Sequence, residues 1–405
     1  MKLFSVLVLL LSGTWLPSVA QNPLPRLLRT DSVLAPVARH AGPHRLQILY
    51  TRIRRDQRDN PHFRQYRYRL RPHEYFYPAS AIKLPAAVLA LEKIHTLARQ
   101  IPGLTSESPL RIDSVAWGQT RVERDTSSQN HRASVAQYVR KILLVSDNDA
   151  YNRLYEFVGP EELRQRLRAH SLHHTILRHR LSVGDLDSTA RRTNPVVFFT
   201  DSSLTRPLYV QPATTFTGAW PRPRQQDLEV GKAHLQNGQR INQPLDFSAR
   251  NATTLPDLQR TLRAILFPAS VPRRQQFQLD SLDRRLLLDY LHRLPRQSQW
   301  PRYSGAQYPD NGAKFLLAGG APGPLPPGVR IYNKIGQAYG FLIDNAYITD
   351  PAHGVEFLLS VVLYVNQDEV LNDDLYDYDT VGLPFLRRLG EAVYQHELRV
   401  GSEKK

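Results

Sequence analysis

The sequence contains no cysteine. That absence excludes disulfides, thiolate metal sites, a thiol nucleophile and a lipid-attachment cysteine. Long apolar runs are almost as scarce. The one sustained stretch, Leu3 to Leu16, is shorter than the roughly 20 residues a spanning helix needs, and no later segment comes close, so no stable membrane span is expected. A compact basic tract interleaved with aromatics is missing too, although 53 basic against 37 acidic residues give a formal charge of +16. The arginines are scattered singly, as at Arg164, Arg166 and Arg168, which argues against nucleic-acid binding and for attraction to anionic envelope polymers. No internal repeat is present.

What is there begins at the N-terminus. Lys2, the apolar stretch and then Pro17-Ser18-Val19-Ala20 form the pattern of a secretory signal with a small-residue cleavage site after Ala20. A secreted protein is therefore expected, and export without disulfides suits a periplasm. Residues 21–43 hold four prolines, several arginines and no sustained period, which reads as a leader segment ahead of the fold. The rest, about residues 44–400, is long enough for two lobes with a cleft between them.

His44–Arg54 and His62–Leu70 alternate partially and read as strands joined by a turn at Asp59-Asn60-Pro61. From Ala81 to Leu97, apolar residues such as Ile82, Leu84, Leu89 and Leu91 recur on a helical stripe, with Ser80 at its N-terminal edge. Helix signals dominate Ala133 to Ser171, break at Gly159-Pro160, and return at Leu255–Leu266 and Leu279–Leu294. Between them, about Asp185 to Arg250, lies a long region that reads as irregular. Arg330–Asn333, Tyr339–Thr349 and Val355–Asn366 are β-branched and aromatic strands, followed by a closing helix at Leu383–Leu398. Strands at both ends and helices between them imply an α/β (α+β) protein. One sheet is assembled from the two termini, about 44–78 and 285–400, and an all-helical lobe, about 79–284, is inserted in it. The site is expected where the lobes meet.

Three short patterns carry chemistry. In Ser80-Ala81-Ile82-Lys83, residues three apart share a helix face, so the Lys83 amine can reach and activate the Ser80 hydroxyl. A helix start adds N–H groups for an oxyanion. The bland alternative is a capping serine, and the same spacing recurs at Ser402-Glu403-Lys404-Lys405, which reads as a solvated tail. Ser146-Asp147-Asn148 follows a buried helix; any helix end uses such residues, but Ser146 can relay a proton and Asn148 can hold an amide. In Lys334-Ile335-Gly336, the lysine offers charge for a carboxylate and the glycine lets a substrate backbone approach, unless Lys334 merely protects a strand edge.

In this order the three patterns resemble those of class A β-lactamases and penicillin-binding proteins. The surrounding sequence is similar as well: Asp149-Ala150 running into Asn152, Leu154, Glu156 and Gly159-Pro160; Asn251-Ala252-Thr253-Thr254; and Tyr339-Gly340 with Asp344 to Ile348. The resemblance covers about residues 44–180 and 250–400. It implies a β-lactamase/transpeptidase-like fold with a five-stranded antiparallel sheet, no metal or organic cofactor, and acyl transfer on a small-molecule β-lactam or D-alanyl peptide. Ser80 would be the acylated nucleophile and Lys83 its base. Ser146 would be the proton shuttle, Asn148 an amide contact, Lys334 the carboxylate anchor, and the N–H groups of Ser80 and Gln337 the oxyanion hole.

Three departures follow. Class A enzymes activate the deacylating water with a Glu on an omega-shaped loop; Arg180 to Asp187 has none, leaving Asp185 or Asp187, one methylene shorter. Ile335 stands where a hydroxyl residue is usual, and one lost hydrogen bond to a charged group costs roughly 1.5–3 kcal/mol. An insertion at about 194–250 brings Phe198, Phe199, Tyr209, Phe216 and Trp220, expected to roof the cleft or to shape an unfamiliar pocket. These departures leave three readings: a β-lactamase with slow turnover, a D-alanyl peptidase or esterase, and a penicillin-binding sensor that acylates without turnover.

Overall fold

The computed structural model describes residues 21–115, 120–184, 187–303, 305–320 and 325–402. The expected signal at 1–20, Asp185 and the last residues of the C-terminal Ser-x-x-Lys pattern lie outside the described residues.

Gln47–Arg55 (β1) and Pro61–Tyr68 (β2) pair as an antiparallel hairpin with Tyr50 opposite Tyr66. At the turn, Asp56 Oδ1 accepts hydrogen bonds from the backbone N–H groups of Arg58 (2.8 Å) and Asn60 (2.9 Å), the local bonding that makes Asp a turn residue. Arg330–Ala338 (β3), Phe341–Asp350 (β4) and Val355–Tyr364 (β5) complete the sheet in the order β3-β4-β5-β1-β2, every neighbouring pair antiparallel. Tyr339 and Gly340 alone join β3 to β4, with φ of 53° and 76°; two positive φ values make the mirror-image turn that matches strand twist. β3 is thus an edge strand, and it faces the second lobe.

Ten α-helices occur among the described residues: α1 (Leu24–Thr30), α2 (Leu34–Arg39), α3 (Lys83–Ala98), α4 (Val135–Val145), α5 (Asn148–Val158), α6 (Pro160–Ala169), the single turn α7 (Asp187–Ala190), α8 (Leu255–Leu266), α9 (Ser281–His292) and α10 (Leu383–Ser402). One face of the sheet is covered by α1, α2 and α10. Leu24, Leu28, Leu34 and Val37 are buried there with Phe385, Leu389 and Val393, and Asp31 pairs with Arg388 at 2.6 Å. Residues 21–43 are therefore part of the fold and not a leader ahead of it. Helices of seven and six residues bury only two side chains each, too few to write a period into the sequence.

The other face receives α8. Gln259 Nε2 donates to Leu49 O and Ser360 Oγ, both at 3.0 Å, and its Oε1 accepts from Thr51 Oγ1 at 2.7 Å. Around α3, which is buried from Lys83 to Ile94, pack α4, α5, α6 and α8; a helix apolar on all sides is a central one. The stretch that reads as irregular in sequence is threaded by short strands. Leu110–Ile112, Val196–Phe199 and Pro207–Gln211 form a three-stranded sheet, and Ala233–Gln236 pairs with both Gln239–Ile241 and Val370–Leu371. The inserted lobe thus carries small sheets beside its helices, built from strands too short to register as such in the sequence.

Candidate active site

Ser80 lies in a 3-10 turn, Ala79–Ile82, that leads into α3. In such a turn the side chains at i and i+3 eclipse, which sets Lys83 on the Ser80 side. Ala79 is held at φ 46°. Ser146 is the C-cap of α4 in the left-handed conformation (φ 59°), and Asp147 caps α5 by accepting from the Ala150 N–H at 2.8 Å. The left-handed region costs a non-glycine residue roughly 1–2 kcal/mol. That conformation turns two helices end to end and brings Ser146 and Asn148 to the same side of the junction.

The three sequence patterns meet here. Lys334 Nζ donates to Ser146 Oγ at 2.8 Å and to Ile335 O at 2.9 Å. Lys83 Nζ donates to Ser146 O, to Asn148 Oδ1 and, at 3.4 Å, to Ser146 Oγ. Its amine is thus engaged with the Ser146–Asn148 junction, not with the Ser80 hydroxyl to which the sequence spacing points; such bonds often tighten only with substrate in place. Ser146 Oγ lies between two lysines that are 0% and 3% exposed. Burial pushes the Lys83 amine down to about 7, against the pull of Asp147. Burial also pushes Lys334 well below the usual lysine range, and the neighbouring Lys83 adds to this while Asp344 opposes it. Two buried amines sharing one hydroxyl titrate as a pair.

Gly336 packs closely against the turn that carries Ser80. A Cβ there would lie 2.5 Å from Pro78 O and 3.0 Å from Ala81 N. What approaches the glycine is the Ser80 turn, so the missing side chain sets the distance between the strand and that turn. Ile335, opposite Asp344 in the β3–β4 register, is 7% exposed and belongs to the core that backs the sheet.

The cleft itself measures about 550 Å³ and is lined by Ser80, Asn148, Ser182 and Gln337 together with Tyr77, Tyr339, Tyr376 and Tyr378. The loop after α6 reaches it through Leu181 and Ser182, where Asn148 Nδ2 donates to Ser182 Oγ at 2.6 Å. Asp187, one of the two candidate substitutes for the usual Glu, is paired with Arg178 (3.0 Å) and Arg191 (2.9 Å). The aromatics expected to roof the cleft lie elsewhere. Phe198 packs on Phe157 at 5.4 Å, and Phe216 packs on Trp220 at 4.7 Å. The insertion contributes instead Phe247, which packs against Tyr75, Tyr77 and Tyr339.

Sequence reasoning missed the tyrosine wall, Ser182 and a network behind β3. In that network Lys314 Nζ donates to Leu291 O (2.7 Å) and Asn333 Oδ1 (2.6 Å), and Asn333 Nδ2 donates to Asp344 Oδ1 (2.8 Å). The only signal available was a lysine set in the apolar run Ala313 to Leu317.

Among curated proteins none matches this sequence. Solved structures of beta-lactamases are similar in overall course. One from Desulfarculus baarsii shares 20% identity with a TM-score of 0.46, over 88% of this chain and 95% of that one. One from Xanthomonas campestris pv. campestris shares 18% with a TM-score of 0.46, over 89% and 94%, and one from Burkholderia ambifaria shares 17% with a TM-score of 0.45, over 89% and 97%. Residues 63–396 match the model of the beta-lactamase enzyme family. Since that match runs from β2 into α10 and takes in every element that frames the cleft, the chain belongs to the beta-lactamase enzyme family.

Proposed function

We propose that the chain is an exported serine hydrolase of the class A type that opens a β-lactam amide through a Ser80 acyl-enzyme and releases the product slowly. The observation that carries this reading is the position of Ser146 Oγ between the Lys83 and Lys334 amines, beside the cleft that holds Ser80. A lysine that titrates near neutrality can take the Ser80 proton as Oγ attacks the lactam carbonyl carbon. The N–H groups of Ser80 and Gln337 hold the resulting oxyanion. As the C–N bond breaks, Ser146 passes a proton to the departing nitrogen. A substrate carboxylate near Lys334 favours the charged form of that amine, and the charge in turn keeps Lys83 neutral.

Release needs water to attack the Ser80 ester. Ser182 is the loop residue bonded to Asn148, and a hydroxyl is a poor base beside a carboxylate. A misplaced or missing catalytic group costs on the order of 100-fold. The same feature favours a second reading, in which β-lactams acylate a D-alanyl peptidase, esterase or sensor without useful turnover. Export rests on the signal pattern at residues 1–20.

The test mixes the purified protein with a chromogenic cephalosporin and a fluorescent penicillin, with Ser80→Ala in parallel. Turnover lost in the variant supports the β-lactamase. Stable labelling without turnover supports the second reading, which D-alanyl peptide hydrolysis then divides. Turnover and labelling that survive in Ser80→Ala overturn the proposal.

A further inference from the structure

The chain carries a net charge of +16, yet Asp368, Glu369, Asp373, Asp374, Asp377 and Asp379 fall within one stretch that holds no basic residue. Most of these carboxylates have local work. Asp368, Asp373 and Asp377 accept backbone N–H bonds, and Glu369 pairs with Lys232. Asp374 is exposed, lines the Ser80 cleft, and makes no hydrogen bond or ion pair among the described residues.

Beside it stand aromatic rings fixed in place. Tyr378 Oη accepts from the Gly340 N–H and Tyr376 Oη from the Asn372 N–H, both at 2.8 Å, and the two rings lie 5.1 Å apart. Across the cleft Tyr77 and Tyr339 meet edge to face at 5.0 Å. Burial pushes the Tyr376 and Tyr378 hydroxyls up, and Asp374 adds to the effect on both, so these phenols stay neutral. Among the described residues, no arginine, lysine or histidine lines the cleft; the nearby cations, Lys83 and Lys334, lie beneath the surface. The cleft therefore has buried lysines beneath it and, in its lining, tyrosine rings and the unpaired Asp374 carboxylate.

We infer that this site prefers zwitterionic substrates, whose carboxylate sits at the Lys334 end and whose side-chain ammonium sits against Asp374 and the tyrosines. The inference rests on the reading of the Ser80 cleft as the acyl-transfer site and adds the charge of the substrate's acyl side. Aromatic faces attract an ammonium group, and a partly exposed carboxylate adds a screened attraction. Both effects are modest, so selection amounts to a few-fold in affinity per unit of charge. A side-chain carboxylate meets the same rim with the opposite sign.

The test uses three penicillins that differ at one atom of the side chain: benzylpenicillin and its α-amino and α-carboxy derivatives. Binding to full-length Ser80→Ala is measured by calorimetry at pH 7 and low salt, where no acyl-enzyme can form. The expected order is ammonium, neutral, carboxylate, separated by about threefold at each step. The spread narrows in Ser80→Ala with Asp374→Asn, and it narrows in Ser80→Ala itself as salt is raised. Equal affinities, a reversed order, a spread indifferent to both changes, or no binding of any of the three overturns the inference. Fluorescent-penicillin labelling of the unaltered chain is followed alongside. Labelling at Ser80 with no spread removes the charge preference and leaves the site; no labelling and no binding removes both.

Discussion

The two sides of the cleft are held by different means. On the sheet side, the β3–β4 ladder fixes Lys334 and Gly336 in register, the Pro78 carbonyl fills the space at Gly336, and Lys314, Asn333 and Asp344 bond the strand from behind. On the loop side, residues 172–184 form no strand or helix, and backbone register is set at one point, the antiparallel bridge of Ile176 with Ala252. Side-chain pegs hold the rest. Asn251 Oδ1 accepts from the Arg178 N–H at 2.7 Å, Asn152 bonds both the N–H (2.8 Å) and the carbonyl (3.0 Å) of Leu181, and Arg180 pairs with buried Glu156 at 2.9 Å. In the proposed mechanism the sheet side serves acylation and the loop side serves release. A part fixed by backbone register tolerates sequence change better than a part fixed by individual polar side chains.

The comparison can be broken on the loop side first. Arg180→Ala leaves Glu156 buried without that partner, and removal of one member of a buried pair costs about 3–5 kcal/mol. A denaturant titration is expected to show that loss, with release perturbed more than labelling in protein that still folds. Next, on the sheet side, Gly336→Ala sets a methyl group against backbone atoms that cannot swing away. Overpacking of this kind costs about 1–3 kcal/mol, and the displaced strand is expected to slow Ser80 labelling by on the order of 100-fold. A variant that melts and labels like the parent removes the spacer role of Gly336.

pH sharpens the same contrast. The Lys83 amine is held down to about 7, so its basic form is lost as pH falls through that value. Labelling is expected to fall about tenfold per unit below pH 7 and to level off above it. A profile still rising toward pH 10 would mean an ordinary exposed lysine. Smallest is Ser182→Ala, which removes one neutral hydrogen bond to Asn148 worth about 0.5–1.5 kcal/mol. Pre-steady-state kinetics should show a loss of between about twofold and tenfold.

What could be read from the sequence follows the same division. Ser80 and Lys83, Ser146 and Asn148, and Lys334 with its glycine sit at short spacings on or at the ends of helices and a strand, and periodicity locates such elements. The last two strands and the closing helix also stand close to their expected limits, whereas β3 runs on past the expected Asn333 to Ala338. The burial of Ile335 was not legible because it depends on which face of β3 is covered, and the pattern alone names no face. The neighbour of Gly336 is Pro78, far away in the chain, and no local pattern records it. Phe247 was overlooked among the insertion's aromatics for the same reason: burial at distant contacts, not composition, set it behind Tyr77 and Tyr339.

The burial of lysines has one more consequence. Arginine supplies most of the chain's basic residues, and its guanidinium keeps its proton throughout the ordinary pH range. Lys83, Lys314 and Lys334 are enclosed, where an ammonium group is readily given up. The protein thus separates two kinds of positive charge. One is permanent and, apart from the buried Arg153 and Arg180, carried at least partly at the surface. The other is interior and negotiable, so protons can come and go around Ser146 while the field presented to the surroundings stays the same.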